Sequence, residues 1–172
     1  MGVTATRGLL SASALLTLLT AFPRRAGADR CERAFCRCIP ASVLGLTEEQ
    51  LVRRRLDHAE RVVLGRAVRT DTLAPHMVDH GSDQITVSPL ATRVSVLRVW
   101  KGPAVDTLTV VAATTGIASS CDIALKPGES YVIFAARGED GVLSTMQCTG
   151  TAAERDAAAT IAILGAGQEP SK

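Results

Sequence analysis

The chain has 172 residues, 19 basic and 17 acidic, with a formal net charge of +2 and only 3% aromatic side chains. So near a balance leaves no electrostatic footprint for nucleic acid, and so few rings exclude a stacking platform for single-stranded bases. With 47% hydrophobic residues, the chain can bury the core of one ordinary domain.

Residues 1–28 read as a removable export signal. Arg7 lies in a short leading region, an apolar run covers residues 9–22, and Ala26-Gly27-Ala28 fits a small-residue cleavage site. The run is too short to span a bilayer, and no later segment is apolar enough to do so. The mature chain is therefore expected to be soluble and secreted, or periplasmic where an outer membrane exists. Ala28-Asp29-Arg30 ahead of Cys31 does not resemble a lipobox, so no membrane anchor is expected. Cutting after Ala28 removes three arginines and no acid, leaving one domain of 144 residues, 29–172, with 16 basic and 17 acidic groups.

Thr47-Glu48-Glu49-Gln50 is a capping-box pattern, followed by Val52, Leu56 and Ala59 at i, i+4 and i+7. The pattern predicts an amphipathic helix over residues 47–60, with Arg53, Arg54 and Arg55 as its solvated face. His58 sits near the helix end, where the dipole favours a cation. Residues 61–69 predict a valine-rich strand with a bulge or bend at Gly65. Residues 70–89 are polar and loop-like in their first half. Strand character resumes over residues 85–100, where Val94 and Val96 share one parity and Leu97 and Val99 the other; such a switch predicts a bulge. Lys101-Gly102-Pro103 ends that strand, and residues 108–113 predict the next.

Lys126-Pro127-Gly128-Glu129 is a type II turn signature. Residues 131–134 and 142–147 predict two more strands around an Asp140-Gly141 turn. Thr151-x-x-Glu154 predicts the cap of a last helix reaching Leu164 and stopped by Gly165. The sum is a mainly β chain: a five-stranded antiparallel barrel with two flanking helices.

Five cysteines punctuate this order: Cys31, Cys36, Cys38, Cys121 and Cys148. Cys36 and Cys38 are too close to bridge each other without strain, but two residues apart on an extended segment they share a face. They can therefore anchor the start of the chain to two distant points. A four-cysteine zinc site is the competing reading, disfavoured by export to an oxidising compartment.

The ordered set Cys36-x-Cys38-x-Pro40, "ERVVLGRAV", Cys121 ahead of "GESYVIFA", and "DGVLSTMQC" ending at Cys148 resembles the netrin-like domain of tissue inhibitors of metalloproteinases. It is most similar to the short bacterial members that carry only the inhibitory half. The resemblance covers residues 36–164 and implies an OB-fold, agreeing with the five strands counted independently. It also implies the disulfides Cys36–Cys121 and Cys38–Cys148, with Cys31 left over as an unpaired thiol, an intermolecular link or an alternative partner for Cys121. The implied partner is a zinc metalloendopeptidase, met by the edge Cys36, Arg37, Cys38, Ile39 and Pro40. In that family the first cysteine's free α-amino group and carbonyl oxygen occupy the open position of the catalytic zinc. Cys36 would be the chelator here and Arg37 the pocket residue.

Seven residues precede Cys36 after a cut at Ala28, so its nitrogen would be an amide with no lone pair for a metal. Inhibition by the family mechanism therefore needs a second cut between Phe35 and Cys36. Without it the expectation is a non-inhibitory extracellular module binding protein or glycan. His76-x-x-x-His80, with Asp79 and Asp83, is a weak metal candidate in the polar loop. No cofactor is implied, and no Ser-His-Asp set or phosphate loop stands out, so the protein is not expected to be an enzyme. It is expected to be a monomer, with a Cys31-linked dimer as the alternative.

Overall fold

The computed structural model describes residues 38–116 and 121–171. The described residues belong to one compact unit, Arg33–Lys172, and the expected export signal, residues 1–28, lies outside them. Those residues hold two helices, α1 (Glu48–His58) and α2 (Ala158–Leu164). They also hold seven strands: β1 (Arg61–Thr72), β2 (His76–His80), β3 (Asp83–Lys101), β4 (Thr107–Thr115), β5 (Ser130–Arg137), β6 (Leu143–Ser144) and β7 (Ala152–Ala153).

Five strands close a hydrogen-bonded ring in the order β1-β3-β4-β6-β5, with β5 returning to β1. All its contacts are antiparallel except β4–β6, a parallel pairing at Val111 and Ser144. One buried cluster draws on all five ring strands and includes Val63, Val94, Val110, Ile133 and Leu143. On the opposite face of β1 and β5, Val62, Leu64, Val132 and Phe134 pack beneath Val52 of α1 and Ala157 ahead of α2. β5 is thus buried on both faces, which is why Tyr131-Val132-Ile133-Phe134-Ala135 is an unbroken apolar run. Val132, Ile133 and Phe134, fully buried, contribute about 1.5–3 kcal/mol each.

Gly65 marks a register shift of β1 against β3. A Cβ there would overlap Val94 Cγ1 and lie 3.2 Å from the Ser95 carbonyl oxygen, so only glycine lets the two strands cross this closely. The predicted parity switch in β3 is present: Val94, Val96 and Val99 are buried while Leu97 is exposed. Leu97 has no partner on β1, because Gly65 pairs Val96 and Leu64 pairs Arg98. It is the extra residue of a bulge.

The capping box of α1 is formed as predicted. Thr47 N–H donates to Gln50 Oε1 at 2.8 Å, and Gln50 N–H donates to Thr47 Oγ1 at 3.2 Å. His58 lies in the last turn of α1 as expected, and Lys101 adds a cap there: its Nζ donates to the carbonyls of Leu56 and Asp57 at 2.8 and 2.9 Å.

Three expectations are corrected. Residues 76–80 form β2, hairpinned to β3, where a loop was expected. The predicted strand 142–147 shrinks to Leu143–Ser144, because the chain then turns into a 3-10 segment, Gln147–Thr149. Thr151 caps no helix. It is buried, its Oγ1 accepts from Phe134 N–H at 2.9 Å, and α2 starts later, after Ala157, with no side-chain cap.

A bidentate pair locks the ring where β5 ends beside the start of β1. Arg137 Nε and Nη2 donate to Glu60 Oε2 and Oε1 at 2.8 and 2.7 Å. This bond, aided by nearby Arg61, holds the Glu60 carboxyl below its ordinary value of 4.5. A lowered carboxyl stabilises the fold above the unfolded-state pKa, and that contribution disappears as pH falls through the folded value. Glu60→Gln should therefore flatten the acid side of the stability profile, and urea midpoints near pH 7 and about pH 3.5 check it. An unchanged difference between the two midpoints would remove Glu60 from the account.

Candidate functional site

The Cys38–Cys148 disulfide is present, joining residues 110 apart in sequence with Cα atoms 4.9 Å apart. With the two sulfurs bonded to each other, the four-cysteine zinc alternative is ruled out. Cys121 is disulfide-bonded as well. The pairing implied for it with Cys36 lies outside the described residues, as do Arg37 and Cys31. Gln147 N–H donates to the Cys121 carbonyl at 2.9 Å, so the loop carrying Cys121 runs beside the turn carrying Cys148.

Local chemistry presents Cys148 to Cys38. After β6, threonine hydroxyls take over from the strand ladder: Thr145 and Thr149 Oγ1 donate to the Phe134 carbonyl at 2.7 and 3.1 Å. The chain is held against β5 by side chains while its backbone turns, and Gly150 closes the turn at φ +106°. At the other end, Pro40 precedes a 3-10 turn, Ala41–Leu44, in which Ala41 is buried and Gly45 caps at φ +66°. The segment from Cys38 is therefore fixed at its bridge and again at Ala41.

Between and beyond these fixed points its apolar side chains face water. Ile39 is 57% exposed and Val43 72%, and Leu44 is exposed as well. Met146, two residues from Cys148, is also exposed. The result is an apolar edge built on a covalent clamp, with Ile39 and Pro40 of the predicted binding segment on it.

Behind this edge lies a cavity of about 350 Å³ between the segment, α1 and β5. Ile39, Leu44, Leu51 and Phe134 contribute its apolar wall, and Cys38 and Cys148 border it. Its polar members are Arg54, Arg55, His58 and Thr149. The arginine triplet is thus not one solvated face. Arg53 is exposed and pairs with Glu49 at 3.4 Å, whereas Arg55 is half-buried with its Cδ close over Gly150. Burial lowers the proton affinity of the Arg55 guanidinium, opposed by the charge of Glu48. Sequence reading missed this role because a triplet of like residues hides which member points sideways.

His76 and His80 lie on β2, paired with Val87 and Asp83 across the hairpin. Among the described residues no three metal-ligating side chains cluster, and no helix is long and apolar enough to cross a membrane. Compared with known proteins, the chain matches no family model and no curated sequence.

Proposed function

We propose that this is an exported, netrin-like binding protein that docks on a zinc metalloendopeptidase through the edge beginning at Cys38. The carrying observation is the Cys38–Cys148 bridge, which pins a short segment with exposed Ile39 and Val43; Met146, two residues from Cys148, is exposed as well. A clamped edge loses little freedom on binding, so its apolar contacts are not offset by ordering. The strand order supports the OB reading of the ring: the last ring strand, β6, lies between β4 and β5, as in a small Greek-key barrel. Metal chelation would fall to Cys36 once its α-amino group is free, with Arg37 in the specificity pocket.

The second reading, a non-inhibitory extracellular module, is favoured by the seven residues that precede Cys36 after a cut at Ala28. N-terminal sequencing of the secreted protein separates the two. A start at Cys36 should accompany inhibition of a zinc endopeptidase, weakened about tenfold or more by Ile39→Glu, as expected for burying an unpaired charge at an interface core. A start at Asp29 with no inhibition favours the second reading. A folded chain starting at Cys36 that leaves every tested zinc endopeptidase active defeats the first.

A further inference from the structure

We propose that the cavity behind the clamped edge binds a medium-chain fatty-acid anion, with its carboxylate on Arg55 and Arg54 and its chain against Ile39, Leu44 and Ala136. This does not rest on the inhibitory reading.

The first argument is the construction of the wall from α1. Leu51, Arg54, Arg55 and His58 stand at i, i+3, i+4 and i+7, one stripe of a helix, and all four line the cavity. An apolar residue at the inner end of a stripe and three basic-capable ones beyond it make an amphipathic slot. No carboxylate is among its described lining residues.

The second argument is Arg55 itself. It is half-buried, and neither a hydrogen bond nor an ion pair engages it among the described residues, Glu48 acting only through space. A guanidinium partly withdrawn from water without a partner is favoured by an anion with two oxygens in the plane of its fork. Depressed proton affinity from burial is what such an anion would reverse.

The third argument is shape. The volume of about 350 Å³ is at the small end of ligand cavities. A compact anion such as phosphate would satisfy Arg55 and leave the accessible Ile39, Leu44 and Ala136 surface wet. A neutral hydrocarbon would fill that surface and leave Arg55 alone. A single alkyl chain ending in a carboxylate meets both demands.

Calorimetric titration of the full chain with hexanoate, octanoate and octanol tests this, with methyl NMR shifts at Leu44, Leu51, Ala135 and Ala136 locating the ligand. Octanoate should bind roughly fifteenfold more tightly than hexanoate, about fourfold for each added methylene, and at least about tenfold more tightly than octanol. Arg55→Gln together with Arg54→Gln should erase the advantage of octanoate over octanol while leaving octanol binding intact. Ala136→Leu, which fills the cavity from half-exposed β5, should weaken both ligands. Equal binding of octanol and octanoate, no chain-length dependence, shifts centred elsewhere, or no saturable binding below the micelle concentration would each overturn the proposal. So would association with anionic phospholipid vesicles in the absence of any binding of free octanoate.

Discussion

Replacing Cys38 and Cys148 together with serine should lower the unfolding free energy by about 2–4 kcal/mol. Cross-linking residues 110 apart would remove nearly 5 kcal/mol of chain entropy from an otherwise free unfolded chain, about 4.7 for a hundred-residue loop. Cys121 is in a bridge of its own, so the unfolded chain stays cross-linked and the loop released is shorter. For a domain of this size the change corresponds to a fall in Tm of roughly 5–15 °C. The loss should be felt locally before it is felt globally. Residues 38–46 depend on the bridge at one end and on a few main-chain bonds at the other, such as Leu46 N–H to the Ala41 carbonyl at 2.9 Å. Hydrogen exchange should accelerate at Leu46 and Gly45 by more than in β1 and β5, whose ladders do not involve the clamp. Equal Tm values for the two proteins, with unchanged exchange at Leu46, would show that the segment holds itself in place without sulfur.

The elements that were legible in the sequence are those whose signal is local. The capping box at Thr47 and Gln50, the type II turn with Gly128 at φ +87°, and the apolar run of β5 are each decided by neighbours within a few residues. The parity switch at Leu97 was legible for the same reason: period-two alternation is counted along one strand. β2 was missed although its hairpin signal was present. Gly81-Ser82 is a two-residue turn, with Gly81 at φ +67° and His80 opposite Asp83, but His76 and Asp79 lowered the strand propensity around it. Thr151 shows the opposite failure. Its capping-box spacing to Glu154 is real, but the buried Phe134 N–H, 17 residues earlier, takes its hydroxyl instead. Burial made that main-chain donor costly to leave unpaired, and no local pattern announces it. The site divides along the same line. Cys38 and Cys148 could be singled out from the sequence, whereas the cavity could not, since its walls come from 3-10 turn, helix and strand at once.

Phe134→Ala should cost about 3–5 kcal/mol, the range for truncating a buried ring. Phe134 is 1% exposed and lies in the cluster that attaches α1 and α2 to the outer face of β5. The residue also borders the cavity. The substitution isolates packing from hydrogen bonding, because the ties from Thr145, Thr149 and Thr151 go to the main chain of residue 134 and survive any side-chain change. Phe134→Leu, closer in volume, should therefore recover most of the loss and stay within about 1.5 kcal/mol of the parent. Urea unfolding of the three proteins measures both differences. The ring-enclosed cluster around Val63, Val110 and Ile133 is not touched, so β1–β5 exchange protection in the alanine variant should fall only by the global destabilisation. Protection in α1 should fall further, since Val52 and Ala59 share the cluster with Phe134. A loss below about 1 kcal/mol for Phe134→Ala would mean that the helices are held by the polar ties at their ends. Lys101 capping α1 and Trp100 Nε1–H donating to the Gly165 carbonyl at 2.9 Å would then carry the attachment that this side chain is assigned here.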